Sequence, residues 1–329
     1  MDADMDSRSG RVGWMGSAGI TMRTRLVMAG AFIGALAVLS MSVLFSWPVS
    51  VNGAADTAAD EAAAAFDSPS GTCLDWPHDA PQNMRRVPCK QPHTFEVSSN
   101  VEIGGDYGAN SPPPADADWQ QIVTDRCTSV GAKYLGGKLD PFGKYTVGAL
   151  KPTAEQWRNG DRKLRCGLQR VSPSGKRLLS TTGAAADQDQ SNVHDPGTCF
   201  ALVKGQVGDP VDCGGAHAYE VVGVVDLGKA FDPKTYPAEA AQLEKLVDLC
   251  PPVANKYTGN ADLKANQLSL YPDTLKKESW EAGSHRVNCK VGAREANGQL
   301  RAVRGSVKAE PLPPDKKKSS GAPSPKPGG

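Results

Sequence analysis

Eight cysteines, all after Ser50, fall into two sets of four with nearly the same spacing. The separations are 16, 38 and 39 residues from Cys73 through Cys89 and Cys127 to Cys166, and 14, 37 and 39 from Cys199 through Cys213 and Cys250 to Cys289. An even count downstream of an apolar segment able to export the chain reads as a disulfide framework. Zinc sites usually place two cysteines about two to four residues apart. Here the closest pair, Cys199 and Cys213, has thirteen residues between them.

The residues around the cysteines repeat as well. Gly71-Thr72-Cys73 recurs as Gly197-Thr198-Cys199, and Val87 to Val97 (VPCKQPHTFEV) is answered by Val211 to Val221 (VDCGGAHAYEV). Cys127 followed by Lys133-Tyr134 corresponds to Cys250 followed by Lys256-Tyr257. Trp157-x-x-Gly160 before Cys166 corresponds to Trp280-x-x-Gly283 before Cys289. The chain therefore carries one domain twice, over residues 71–171 and 197–295. The segment 172–196, rich in Ser, Gly, Ala, Asp and Gln, reads as an inter-domain linker.

Each copy is expected to be α+β. Residues 94–103 and 218–227 are rich in β-branched and aromatic side chains and predict strands. Trp119, Ile122, Val123, Cys127, Val130 and Tyr134 recur at three- and four-residue steps, as do Leu243, Leu246, Val247 and Cys250, which predicts helices. Pro251-Pro252 is expected to stop or kink the second helix directly after its cysteine. Leu164, Cys166 and Leu168 alternate, like Val287, Cys289 and Val291, so each copy is expected to end in a strand with its cysteine facing the core. With each copy closing on itself, the pairing chosen is Cys73–Cys89 and Cys127–Cys166, then Cys199–Cys213 and Cys250–Cys289. The second bridge of each copy ties the inner face of the helix to the last strand.

Upstream, residues 26–45 are twenty residues without a charge, and at about 1.5 Å per residue a helix of that length crosses a bilayer core of about 30 Å. Arg8, Arg11, Arg23 and Arg25 precede it, while Asp56, Asp60 and Glu61 follow. The positive-inside rule then leaves residues 1–25 in the cytoplasm and both copies outside a cell membrane spanned once. A cleavable signal peptide, cut after Val51-Asn52-Gly53, is the alternative; the length of the apolar run favours an uncleaved anchor. Met22 as the start would keep Arg23 and Arg25 and the same orientation. Residues 46–70 read as a partly helical spacer, and 296–329, ending in Pro, Lys, Gly and Ser, as a disordered tail.

Lys+Arg 37 against Asp+Glu 36 supplies no basic field for nucleic acid. His93-x-x-Glu96 and His217-x-x-Glu220 form the one ionisable pair that both copies share outside the basic positions. On a strand, residues three apart point to opposite sides, which argues against one metal held by both. Histidine is then a hydrogen-bonded structural group beside the core, with glutamate outside. Trp157 and Trp280 read as core anchors before a glycine turn rather than as exposed platforms. No nucleophile motif, phosphate-binding loop or calcium loop is present, and no catalytic residue, metal or cofactor is assigned.

The strings G-T-C, V-x-C-x-x-[PA]-H-x-x-E-V, a helical cysteine, and W-x-x-G before a cysteine strand resemble the septum formation family of actinobacterial membrane proteins, whose exported domain often occurs in tandem. The resemblance covers both copies but neither the anchor nor the tail. Ala216 stands where the first copy has Pro92, which suggests that the copies differ in what they bind. The resemblance implies a role at the cell envelope connected with division, with division proteins or cell-wall polymers as partners, and it implies no reaction. An extracytoplasmic sensor and a cell-wall enzyme are the alternatives.

Overall fold

The computed structural model describes residues 53–77 and 80–308. The expected cytoplasmic segment 1–25, the membrane helix 26–45 and tail residues 309–329 lie outside the described residues. Among the described residues no helix is long and apolar enough to cross a membrane.

The spacer forms helix α1 (Gly53–Phe66). The first copy then runs β1 (Cys73–Asp75), β2 (Arg85–Val87), β3 (Phe95–Glu102), α2 (Asp116–Tyr134), β4 (Thr146–Leu150), α3 (Ala154–Arg158), β5 (Lys163–Val171) and β6 (Leu178–Leu179). The second runs β7 (Cys199–Val203), β8 (Gln206–Val211), β9 (Tyr219–Asp226), α4 (Glu239–Thr258), β10 (Ser269–Pro272), α5 (Lys277–Glu281), β11 (Arg286–Arg294) and β12 (Leu300–Arg301). The chain is thus mixed helix and strand, with two antiparallel sheets and four disulfides.

The sheets share one topology. The first is ordered β2-β1-β3-β5-β4 with β6 on β5; the second, β8-β7-β9-β11-β10 with β12 on β11. Even an irregularity repeats: the register between the two central strands shifts between Val97 and Ser99 in the first sheet and beside Cys289 and Lys290 in the second. In each copy the long helix lies on the sheet through its cysteine. Cys127 packs with Cys166, Trp119, Trp157 and Leu164, and Cys250 with Cys289, Leu246, Ala254 and Trp280.

Four disulfides join Cys73 to Cys89, Cys127 to Cys166, Cys199 to Cys213 and Cys250 to Cys289. The tryptophans are core anchors, each 2% exposed. Each sits on a single-turn helix that ends at a glycine with positive φ, Gly160 at +92° and Gly283 at +87°. A Cβ is strained in that left-handed conformation, and the W-x-x-G spacing places glycine where the helix must reverse into the cysteine strand.

Three expectations need correction. Pro251 and Pro252 neither stop nor end α4, which continues to Thr258. The two prolines withhold hydrogen bonds from the carbonyls of Val247 and Asp248, both exposed residues, while Leu246, Cys250 and Ala254 pin the opposite face. The cysteine strand is not the last strand of either copy: a hairpin follows, Arg170 pairing Leu179 in one and Arg294 pairing Leu300 in the other. The inter-domain linker, residues 172–196, is therefore an ordered segment that pairs with the first copy, and residues 296–308 belong to the second copy rather than to a disordered tail. Their polar composition reflects a solvent-facing edge whose backbone pairs with the sheet.

Candidate functional site

The return segment after each hairpin crosses the start of the His-x-x-Glu strand. His93 forms a two-way backbone bridge with Thr181 (2.9 and 2.8 Å), and His217 an equivalent one with Val303 (2.9 and 2.8 Å). Both histidines are buried. Each ring Nδ1 lies beside a carbonyl two residues earlier, Gln91 O at 2.9 Å and Gly215 O at 3.0 Å. That contact holds the proton on Nδ1, because a carbonyl can only accept. His93 Nε2 faces the Thr181 hydroxyl at 3.3 Å.

The glutamates do not point outward. Glu96 and Glu220 are 2% and 1% exposed, and His93 Nε2 is 3.8 Å from Glu96 Oε2. Strand alternation fails here because β3 begins at Phe95, leaving His93 in the bridge to the return segment, outside the pleat. The side of the sheet that carries the glutamate is covered in turn by the end of the long helix and by the return segment. Tyr134 at the end of α2 donates its hydroxyl to Glu96 Oε1, and the Ala185 N–H donates to Oε2 at 2.7 Å. In the second copy Tyr257 and Ser306 donate to Glu220 Oε1 at 2.7 and 2.6 Å, and the Val307 N–H to Oε2 at 2.7 Å. Burial first, then the hydrogen bond to Glu96, hold the Tyr134 phenol well above its ordinary value; burial and then the hydrogen bond to Glu220 push Tyr257 up to about 12. Both tyrosines therefore stay protonated donors at neutral pH.

The first disulfide of each copy lies against this carboxylate. The sulfurs of Cys73 and Cys89 lie within 4.8 Å of a Glu96 oxygen, as do those of Cys199 and Cys213 with Glu220. Two thiolates and a carboxylate at that spacing are a metal-ligand set. Bonded to each other, the sulfurs are no longer thiolates. The arrangement acts as a latch, in which one buried carboxylate gathers the helix end, the strand and the return segment of its own copy. Trp157 and Trp280 lie apart from it, packed with the second disulfide of their copy, and Gly160 and Gly283 are the turns that follow them.

A second buried carboxylate joins the copies. Asp140, 2% exposed, follows α2 in the first copy and accepts hydroxyl hydrogen bonds from Ser279 (2.9 Å) and Ser284 (2.6 Å) of the second. Gln190 reinforces it, accepting from the Asp140 N–H at 2.9 Å. Residues 189–194 then run along β11: Asp189 accepts from His285 N–H (3.1 Å), Ser191 from Arg286 N–H (2.9 Å), and the Asn192 carbonyl from the Asn288 amide (3.0 Å). The partners Tyr134 and Tyr257 are visible in the repeat, since Lys-Tyr follows the helical cysteine by the same number of residues. Asp140, Ser279 and Ser284 have no such signal, because an interface between unlike faces does not repeat.

The chain matches the family described as Septum formation over residues 70–289. It is 36% identical over 260 residues to uncharacterized membrane proteins of two Mycobacterium tuberculosis strains, CDC 1551 / Oshkosh and ATCC 25618 / H37Rv. Those alignments cover 74% of this chain and 58% of each relative, so the chain spans little more than half the length of the curated relatives it matches. No solved structure matches it.

Proposed function

We propose, since this chain belongs to the septum formation family, that it is a non-catalytic, membrane-anchored envelope protein. In this reading it presents its two copies outside the cell membrane as one joined binding or scaffolding module during septum formation. The relatives' description as membrane proteins supports a membrane location. The uncharged run 26–45 and the arginines before it support a single-pass anchor with a cytoplasmic N-terminus. The observation that carries the non-catalytic reading is the use made of Glu96 and Glu220. The ionisable pair repeated in both copies is engaged by donors from its own domain, and all eight cysteines are in disulfides. A catalytic acid or base must exchange a proton with a substrate; here both oxygens of each carboxylate are already taken by protein donors.

A fluorescent protein fused to the N-terminus, imaged in dividing cells of the source organism with and without depletion, tests the role. Enrichment at the septum, with filaments or misplaced septa on depletion, is expected. Uniform membrane signal with normal division would overturn it.

A further inference from the structure

The seam between the copies opens into a cleft of about 470 Å³ that neither copy could form alone. Three cations from three parts of the chain line it: Lys144 ahead of β4, Arg170 at the end of β5, and Arg286 at the start of β11 in the other copy. One carboxylate, Asp195, shares the lining. Among the described residues none of the three cations lies within ion-pair distance of a carboxylate.

Arg170 is held in a particular way. Asn192 Oδ1 (2.9 Å), the Val193 carbonyl (2.9 Å) and His194 Nε2 (2.7 Å) all accept from the same guanidinium nitrogen, Nη2. Its Nε and Nη1 have no protein acceptor among the described residues. His194 serves as an acceptor because burial, then Arg170 and Lys290, hold its pKa down to about 3, so the ring is neutral. Lys144 is steadied by Gln188 Oε1 at 2.9 Å. Burial first, then the charges of Arg170 and Arg286, push it down to about 8, while Asp189 works against the shift. The Arg286 guanidinium has no hydrogen bond to the protein among the described residues. Gathering three cations in a partly buried place costs stability unless something negative joins them.

We infer that this cleft binds a phosphoryl oxyanion, with Arg170, oriented by the three acceptors on its Nη2, as a fixed positive charge and Lys144 and Arg286 closing on it from the two copies. The Arg286 guanidinium can meet two tetrahedral oxygens as a fork, and the ammonium adds a point charge. The Ser180 and Thr182 hydroxyls on the same lining can donate further hydrogen bonds. The phosphoryl group could belong to a free phosphate or to the phosphodiester of a lipid headgroup or wall polymer. The inference goes beyond the septal role and stands whether or not the chain gathers at the septum.

The test is calorimetric titration of the full-length chain in detergent, at matched chloride ionic strength, with inorganic phosphate and separately with glycerophosphoglycerol. Saturable binding of one phosphoryl ligand per chain is expected, weakened roughly tenfold or more by Arg286→Gln, since one charge-assisted contact is lost. The Arg286 side chain is exposed and makes no protein hydrogen bond among the described residues, so the variant folds; Lys144→Gln gives a second check with the same expected direction. Tighter binding of phosphate identifies a free or terminal phosphate, and tighter binding of the diester a lipid or polymer. Affinity weaker than about 10 mM for both probes, or equal affinity in wild type and Arg286→Gln, would overturn the inference.

Discussion

At Glu220 a single carboxylate accepts hydrogen bonds from Tyr257, Ser306 and the Val307 backbone. Removing it leaves three donors without their charged acceptor at the partly buried wall of a cleft. Glu220→Ala is therefore expected to lower stability by more than about 3 kcal/mol, since each bond to a charged acceptor is worth about 1.5 to 3 kcal/mol; denaturant unfolding measures it. A loss below about 1 kcal/mol would mean that water replaces the carboxylate. His194 supplies a pH signature. Its folded pKa, about 3, lies below the unfolded value of about 6.5, so its contribution is complete above the unfolded value and is lost as pH falls toward the folded one. The wild-type melting temperature should then fall more steeply between about pH 6.5 and 3 than that of His194→Gln, which keeps an acceptor for Arg170 but does not titrate. Parallel curves would show that the imidazole is protonated in the folded state.

The hairpin that follows each cysteine strand is the element that sequence reading places outside the domain. Its composition is polar, so neither hydrophobic period marks it, and its contribution is made through backbone bridges to His93 and His217 and through caps on Glu96 and Glu220. This predicts a sharp difference between two truncations. Ending the chain at residue 295, the boundary suggested by the repeat, deletes β12 together with Ser306 and Val307 and is expected to lower the melting temperature by several degrees, since each kcal/mol lost is worth about 2–4 °C in a unit of this size. Ending it at residue 308 should leave the melting temperature unchanged. Equal melting of the two products would show that the return segment adds nothing. The helix α4 teaches a related lesson about local rules. Two prolines predict a stop or a kink, yet a disulfide and a buried face on one side carry the helix through them to Thr258.

On the scale of the molecule, the two copies are joined along the segment read as an inter-domain linker. Asp140 of one copy receives Ser279 and Ser284 of the other, and residues 189–194 lie along β11. The copies should accordingly unfold in a single calorimetric transition. Asp140→Ala leaves the two seryl hydroxyls and the Phe142 N–H without their acceptor. It is expected to destabilise the pair by about 2–4 kcal/mol and to separate the transition into two. A single transition at the wild-type temperature in the variant would show that the seam is held elsewhere. Any ligand of the cleft should raise the melting temperature of the wild type, because only the joined copies form its site.

Several features were settled by the sequence alone: the duplication, the central strands and long helices, and the tryptophan–glycine turns; the cysteine pairing was narrowed to three possibilities per copy, of which the one chosen is the one formed. Those depend on local periodicity, on spacing, and on φ values only glycine adopts easily, all of which repeat along the chain. The tertiary structure decided that Glu96 and Glu220 face inward, that polar segments complete each copy, and that Asp140 and the cationic cleft lie between the copies. Each depends on what covers a side chain from far along the chain. A carboxylate reads as exposed until the tyrosine, the backbone N–H and the return segment that enclose it are brought together in space.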